Sequence, residues 1–265
     1  MPQEAKESYL TMAMYYEDTL TADGIVASDA SANTNKGLKK RAKFFEKSNE
    51  VEMIDTLHIC CHSADRLLLP NMQMDYMLTL QNQDFFLMNP ANDPTKYKFH
   101  ITSASLLVAR VDVSPSLQIA HASLLMQNNA KYYMHRVQPC DFTIPSGALQ
   151  FSVVDLFTGF EMPTQLVLLF VRTKARLGDM KLNPFFLQNL KISTLNLFVG
   201  ARRIPTSEYD MDVSKDRSLL LFLQSQGALN YMKSNMGPGN IDRKSFQDAA
   251  FLCVFDLSRG KFWYE

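Results

Sequence analysis

TQLVLLFVRT, residues 164–173, sets the terms for the fold. Its apolar run, Leu166 to Val171, is strand-sized and falls well short of the roughly 18 to 20 residues that span a bilayer. A short unbroken apolar run fits a strand covered on both faces. Working outward, similar apolar stretches separated by Pro, Gly or Asn recur through 51–256. The candidate strands are 51–61, 72–80, 84–88, 99–113, 132–144, 164–173, 191–204 and 249–257, several of them rich in β-branched and aromatic residues. In 191–201 an alternating pattern puts Leu195, Leu197, Val199 and Ala201 on one face and Ile192 and Phe198 on the other. Such spacing with long irregular connections predicts an all-β, antiparallel jelly-roll sandwich rather than a parallel βαβ fold.

Helices interrupt this pattern. Ser114-Pro115 reads as an N-cap and first-turn proline, followed by Leu117, Ala120, Leu124 and Leu125 at helical spacing up to Asn128-Asn129. Residues 218–226 put Leu219, Phe222 and Leu223 on one face before Gly227. Residues 1–19 supply a short N-terminal helix, and 21–36, small and polar, read as a loop. GLKKRAKFFEKSNE, residues 37–50, is a basic run centred on Phe44 and Phe45.

The chain has 265 residues, with 27 Lys+Arg against 27 Asp+Glu. That balance argues against a globally basic nucleic-acid coat and against an acidic tail protein, and it lowers the charge barrier to self-association. With 46% hydrophobic and 20% charged residues, the chain can bury a core. Four cysteines, two of them adjacent and none in CxxC spacing, indicate neither a disulfide framework nor a zinc ribbon. No secretory pattern opens the sequence, so a reduced chain made inside the cell is expected.

Candidate chemistry is sparse. His58, Cys60 and His62 would share one face of a strand and could begin a zinc or copper site. The competing reading is a strand exposing two histidines around a packed Cys. His100, His121 and His135 accompany no nucleophile elbow or phosphate loop, and His121 reads better as packing or capping. Asp75, Asp112, Asp141 and Asp155 would supply a glycosidase pair only if two converged, and Asp155 reads as a turn entry. Met72, Met74 and Met77 read as core filling. No cofactor is called for. In the basic run, Lys39, Lys40, Arg41, Lys43, Phe44 and Phe45 are candidates for docking or nucleic-acid contact, set against a plain solvated face. Arg202-Arg203 reads as a strand end.

Several segments then fall into a familiar order: GLKKRAKFFEKSNEVEMIDTLHI, DRLLLPNMQMDYMLTLQNQDFFLM, ITSASLLVARVDVSPSLQIAHASLLMQNNAKYYMHRVQPCDFTIPSG and NPFFLQNLKISTLNLFVGARRIP. Asp65 to Pro70, the Val113-Ser114-Pro115-Ser116 junction and Ala130-Lys131-Tyr132 are the most telling pieces. From about residue 9 to 260 the chain resembles the double-jelly-roll, hexon-like major capsid proteins of Polinton/Maverick elements and adintoviruses. The resemblance implies an N-terminal segment over 1–50, the remainder of a first roll over 51–129 and a partial second roll over 130–265. Family members are similar but longer at both ends. On that comparison the double jelly roll is cut short at both ends, stopping at Trp263-Tyr264-Glu265, as a fragment, a degraded copy or a short variant would be.

The resemblance implies a non-enzymatic homotrimer tiling an icosahedral virion shell. It would be made in the host cytoplasm, or be nuclear during assembly. Its partners would be its own copies, other capsid proteins and packaged DNA met through the basic segment, with no membrane span. A minor or vertex single-jelly-roll capsid protein, and a β-sandwich ligand-binding protein or enzyme, are the alternatives.

Overall fold

In the computed structural model the run at 164–173 yields strand β1 (Gln165–Leu169), paired antiparallel with β4 (Leu252–Asp256). The structure describes residues 3–16, 35–63, 66–70, 72–89, 97–156, 162–212, 215, 217–229 and 241–258. Expectations for the 21–34 loop, Asp65, the turn after Leu156 and Trp263-Tyr264-Glu265 lie outside those residues.

β1 is not covered on both faces: Leu166 is buried, whereas Val167 and Leu169 are about half exposed. The doubly covered strand is β4, where Cys253, Val254 and Phe255 are all buried. The second ladder is a hairpin of β2 (Thr194–Val199) and β3 (Arg202–Asp210). Gly200, at φ 61°, supplies the left-handed turn that splits the expected 191–204 strand in two. Within β2 the alternation holds, with Leu197 buried and Phe198 62% exposed.

Those are the only strands among the described residues, so the jelly-roll sandwich is not formed. The described parts of 51–59, 72–80, 99–113 and 132–144 enter no ladder, and 84–88 gives the short helix α3 (Gln83–Phe86) instead. Apolar and β-branched content sets a local preference; a ladder also needs a partner strand of matching register, which lies elsewhere in the chain. Asn82 decides α3 locally, since its side chain accepts the Asp84 N–H at 3.3 Å.

The remaining helices are α1 (Gln3–Met12), α2 (Lys36–Phe44), α4 (Pro115–Gln127), α5 (Thr173–Leu177), α6 (Leu219–Ala228) and α7 (Arg243–Asp248). Pro115 occupies the first turn of α4 as the sequence indicates. α6 turns a different face inward from the one expected: Leu221, Ser225 and Ala228 are buried, whereas Leu219 and Leu223 are half exposed. None of the described residues lies in a helix long and apolar enough to cross a membrane.

The chain divides into two compact units. One comprises 1–53, 81–97 and 143–265 and holds the core. Leu166, Leu197, Tyr209, Leu221, Phe246 and Phe251 are among its buried members. α6 packs on β4 within it, and a Ser225 hydroxyl meets the strand: it donates to Leu252 C=O at 3.3 Å and accepts Val254 N–H at 3.2 Å. Gly178, at φ 110°, lies so close to Asp84 that an added Cβ would fall 3.1 Å from the Asp84 Cβ. Nearby, Asn89 N–H donates to Met180 C=O at 2.9 Å, and the rings of Phe85 and Phe185 meet edge-on at 5.9 Å.

The other unit comprises 54–80 and 98–142. α4 has no buried residue. Met77, Leu107 and Val137 are 91%, 80% and 88% exposed, and Met72 and Met74 are also exposed, so these methionines do not fill a core. Here Tyr132 ties down the 67–69 segment, its hydroxyl donating to Leu67 C=O at 3.1 Å and accepting Leu69 N–H at 3.2 Å.

Candidate functional site

The basic run becomes helix α2. Asn35 caps it by accepting the Leu38 N–H at 3.0 Å, and Asn35 and Leu38 are buried. Lys36, Lys39, Lys40 and Lys43 follow the i, i+3, i+4, i+7 spacing that places side chains on one helical face, and all four are exposed. Leu38 projects from the opposite side of the helix wheel. The six named candidates therefore separate. Lys39, Lys40 and Lys43 join Lys36 in the stripe, and Arg41 leaves it, donating from Nη1 to Tyr16 C=O at 2.8 Å.

Tyr16 also engages the other side chains. Its ring stacks on Phe44 at 6.4 Å with an interplanar angle of 20°, and the Lys40 ammonium sits 5.3 Å from the ring centroid. A cation–π contact at such a site is worth about 0.5–1 kcal/mol. Phe44 and Phe45 remain 45% and 42% exposed. The role of Tyr16 had no sequence signal, because it lies 25 positions from Arg41.

The stripe is electrostatically costly. Four like-charged neighbour pairs arise at i,i+3 and i,i+4 spacing, each opposing the helix by roughly 0.2–0.5 kcal/mol. No acidic residue occupies the first turn to complement the helix dipole. A shallow hollow of about 480 Å³ borders the C-terminal end of the helix, lined by Lys43, Phe44, Glu46, Lys47 and Asn49 among others.

The expected strand face of His58, Cys60 and His62 does not form, because Cys60–Ser63 is a 3-10 turn and strand alternation does not apply there. His62 Nε2 instead lies 2.8 Å from the Tyr76 hydroxyl, and Cys60 Sγ accepts the His135 N–H at 3.1 Å. Among the described residues, no three His, Cys, Asp or Glu side chains come together to hold a metal ion. His121 lines a cleft of about 260 Å³ with Leu124, Leu125, Arg66, Lys131 and Tyr132. Asp155 has a φ of 55°, in keeping with a turn, and Arg202 begins β3.

Buried ionisable groups lie in the core rather than in a cleft. Burial pushes the Cys253 thiol up to about 12 and raises the Tyr209 phenol above its ordinary value, so both stay neutral. The chain matches no protein-family model, no curated protein and no solved structure.

Proposed function

We propose that the chain is a structural subunit that self-associates, as trimers, into a capsid-type shell of a virion, the role implied by its resemblance to hexon-like capsid proteins. The supporting observation is the uncovered apolar surface of the 54–80 and 98–142 unit. Leu67, Met77, Leu78, Leu107, Val111 and Val137 are all more than 60% exposed there. Exposed apolar area of this density marks an interaction surface. At about 25 cal/mol per Å², covering it is a strong drive to association. A second copy is the occupant we assign, since a chain with zero formal net charge meets its own copies without net repulsion. Obligate interfaces of this kind bury roughly 2,000 Å² or more. Other capsid proteins and packaged DNA, the latter through the basic segment, complete the proposed set of partners.

Light scattering and electron microscopy of the purified chain test the reading. Trimers or larger particles are expected, and a strictly monomeric species at high micromolar concentration would overturn it. Replacing Phe44 and Phe45 with Ser should lower particle yield if those half-exposed rings dock between copies.

A further inference from the structure

We propose that the lysine stripe of α2 is a phosphate-tracking surface for nucleic acid, read by charge and spacing and not by base identity. The proposal adds to the shell reading the side chains that would meet the packaged polymer, and it rests on that reading only for the polymer's source. Lys36, Lys39, Lys40 and Lys43 span eight residues of helix, seven steps and about 10 Å at 1.5 Å per residue. Phosphates follow one another every 3.4 Å along the axis of a DNA strand, so this length lies against roughly three to four of them. The number of cations thus matches the number of phosphates within reach.

Three further observations favour nucleic acid. The stripe carries cations alone, with no acidic residue between positions 35 and 45, in a chain that is neutral as a whole. A neutral protein concentrating charge on one exposed face suits local attraction to a polyanion better than general solubility. Phe44, beside Lys40 on the helix wheel, is 45% exposed in its stack with Tyr16 and keeps aromatic surface for an unstacked base. Finally, lysines are point charges with adaptable stems, suited to backbone contact and carrying no planar fork for a base edge. An anionic membrane would share the charge attraction. It would also call for a broad apolar helical face opposite the lysines, and that side of α2 has Leu38, which is buried, and a single exposed ring, Phe45, at the C-cap.

The test is fluorescence anisotropy of the full chain with a labelled random-sequence DNA duplex and its single strand, at salt from about 50 to 200 mM. Neutralising three to four phosphates predicts that log affinity falls with log salt at a slope near −3, roughly a hundredfold loss across that range. The quadruple variant K36Q/K39Q/K40Q/K43Q should lose most of the slope and at least tenfold in affinity at low salt. Glutamine is a good helix former and removes the like-charge pairs, so the helix is expected to persist, as circular dichroism would verify. The charge-reduced control R202Q/R203Q in the β2–β3 hairpin should bind like the parent. An unchanged slope in the quadruple variant, or an equal loss in the control, overturns the proposal. So does lysine-dependent binding to phosphatidylserine vesicles without binding to DNA. Particle assembly is scored separately: a chain that assembles but ignores DNA sinks this proposal alone, and one that binds DNA as a monomer sinks the shell reading alone.

Discussion

Replacing Ser225 with Ala should loosen the whole 143–258 core, and the reason is the phase of one ladder. Leu257 N–H donates to Thr164 C=O at 2.8 Å, just beyond the paired residues of β1 and β4. In an antiparallel ladder hydrogen-bonded pairs alternate, so Phe255 and Cys253 point their backbone groups toward β1. Val254 N–H and Leu252 C=O then face the open edge, where no third strand pairs among the described residues. Ser225 on α6 fills that place with a single hydroxyl, 3.2 Å from the donor and 3.3 Å from the acceptor. The residue is 1% exposed, so water cannot readily substitute. Alanine leaves a buried N–H without a partner, at about 1–3 kcal/mol, and opens little cavity because only an oxygen is removed. A loss of about 2 kcal/mol is expected, appearing in urea unfolding as a lower midpoint at unchanged slope. Hydrogen exchange should show the Val254 amide losing protection before that of Phe255. A loss under about 0.5 kcal/mol with Val254 still protected would refute the edge-capping role.

Gly178→Ala should destabilise by more than about 1 kcal/mol, since φ is strained for alanine and the added Cβ meets Asp84; thermal unfolding checks it. Alkylation by iodoacetamide near pH 8, followed by mass spectrometry, should label the exposed Cys140 first and Cys253 only after unfolding, because its buried thiol stays protonated. Lys174 Nζ, 2.8 Å from the Asp179 carboxylate, holds that acid below its ordinary 3.8, helped by the Lys181 N–H. The folded state thus binds the proton less readily than the unfolded chain. The stabilisation is full above about pH 4 and fades as pH falls through the folded value. Asp179→Asn should flatten that acid limb in a pH series of unfolding midpoints.

Of the seven α-helices among the described residues, α1, α4 and α6 were legible in the sequence, whereas α2, α3, α5 and α7 were not. Pro115 in the first turn and the leucine spacing after it located α4, and apolar spacing before Gly227 found α6, although neither Ser114 nor Ser218 makes a side-chain cap. The face of α6 was misjudged, since Leu219 and Leu221 are chemically alike and only the position of β4 selects between them. Strands at 165–169, 194–199 and 252–256 fell inside expected windows. The segments at 72–80 and 99–113 have comparable apolar content and yet join no ladder, as pairing depends on a distant partner that composition does not encode. At the site, the lysines were visible one by one, and their common face required knowing that 36–44 is helical. The histidine and cysteine trio failed for the converse reason: its proposed face presupposed a strand where the chain turns.

With Asp84 held against Gly178, the return segment 81–97 is fastened into the core-bearing unit between two excursions of the chain, 54–80 and 98–142. Contacts such as these join residues some 90 positions apart, a separation that slows folding because a long loop must close before the contact forms. During synthesis the first excursion emerges well before the residues that anchor its far end. The excursions would then spend their apolar exposure in an unfinished chain, which makes their protection a matter of timing as well as of surface.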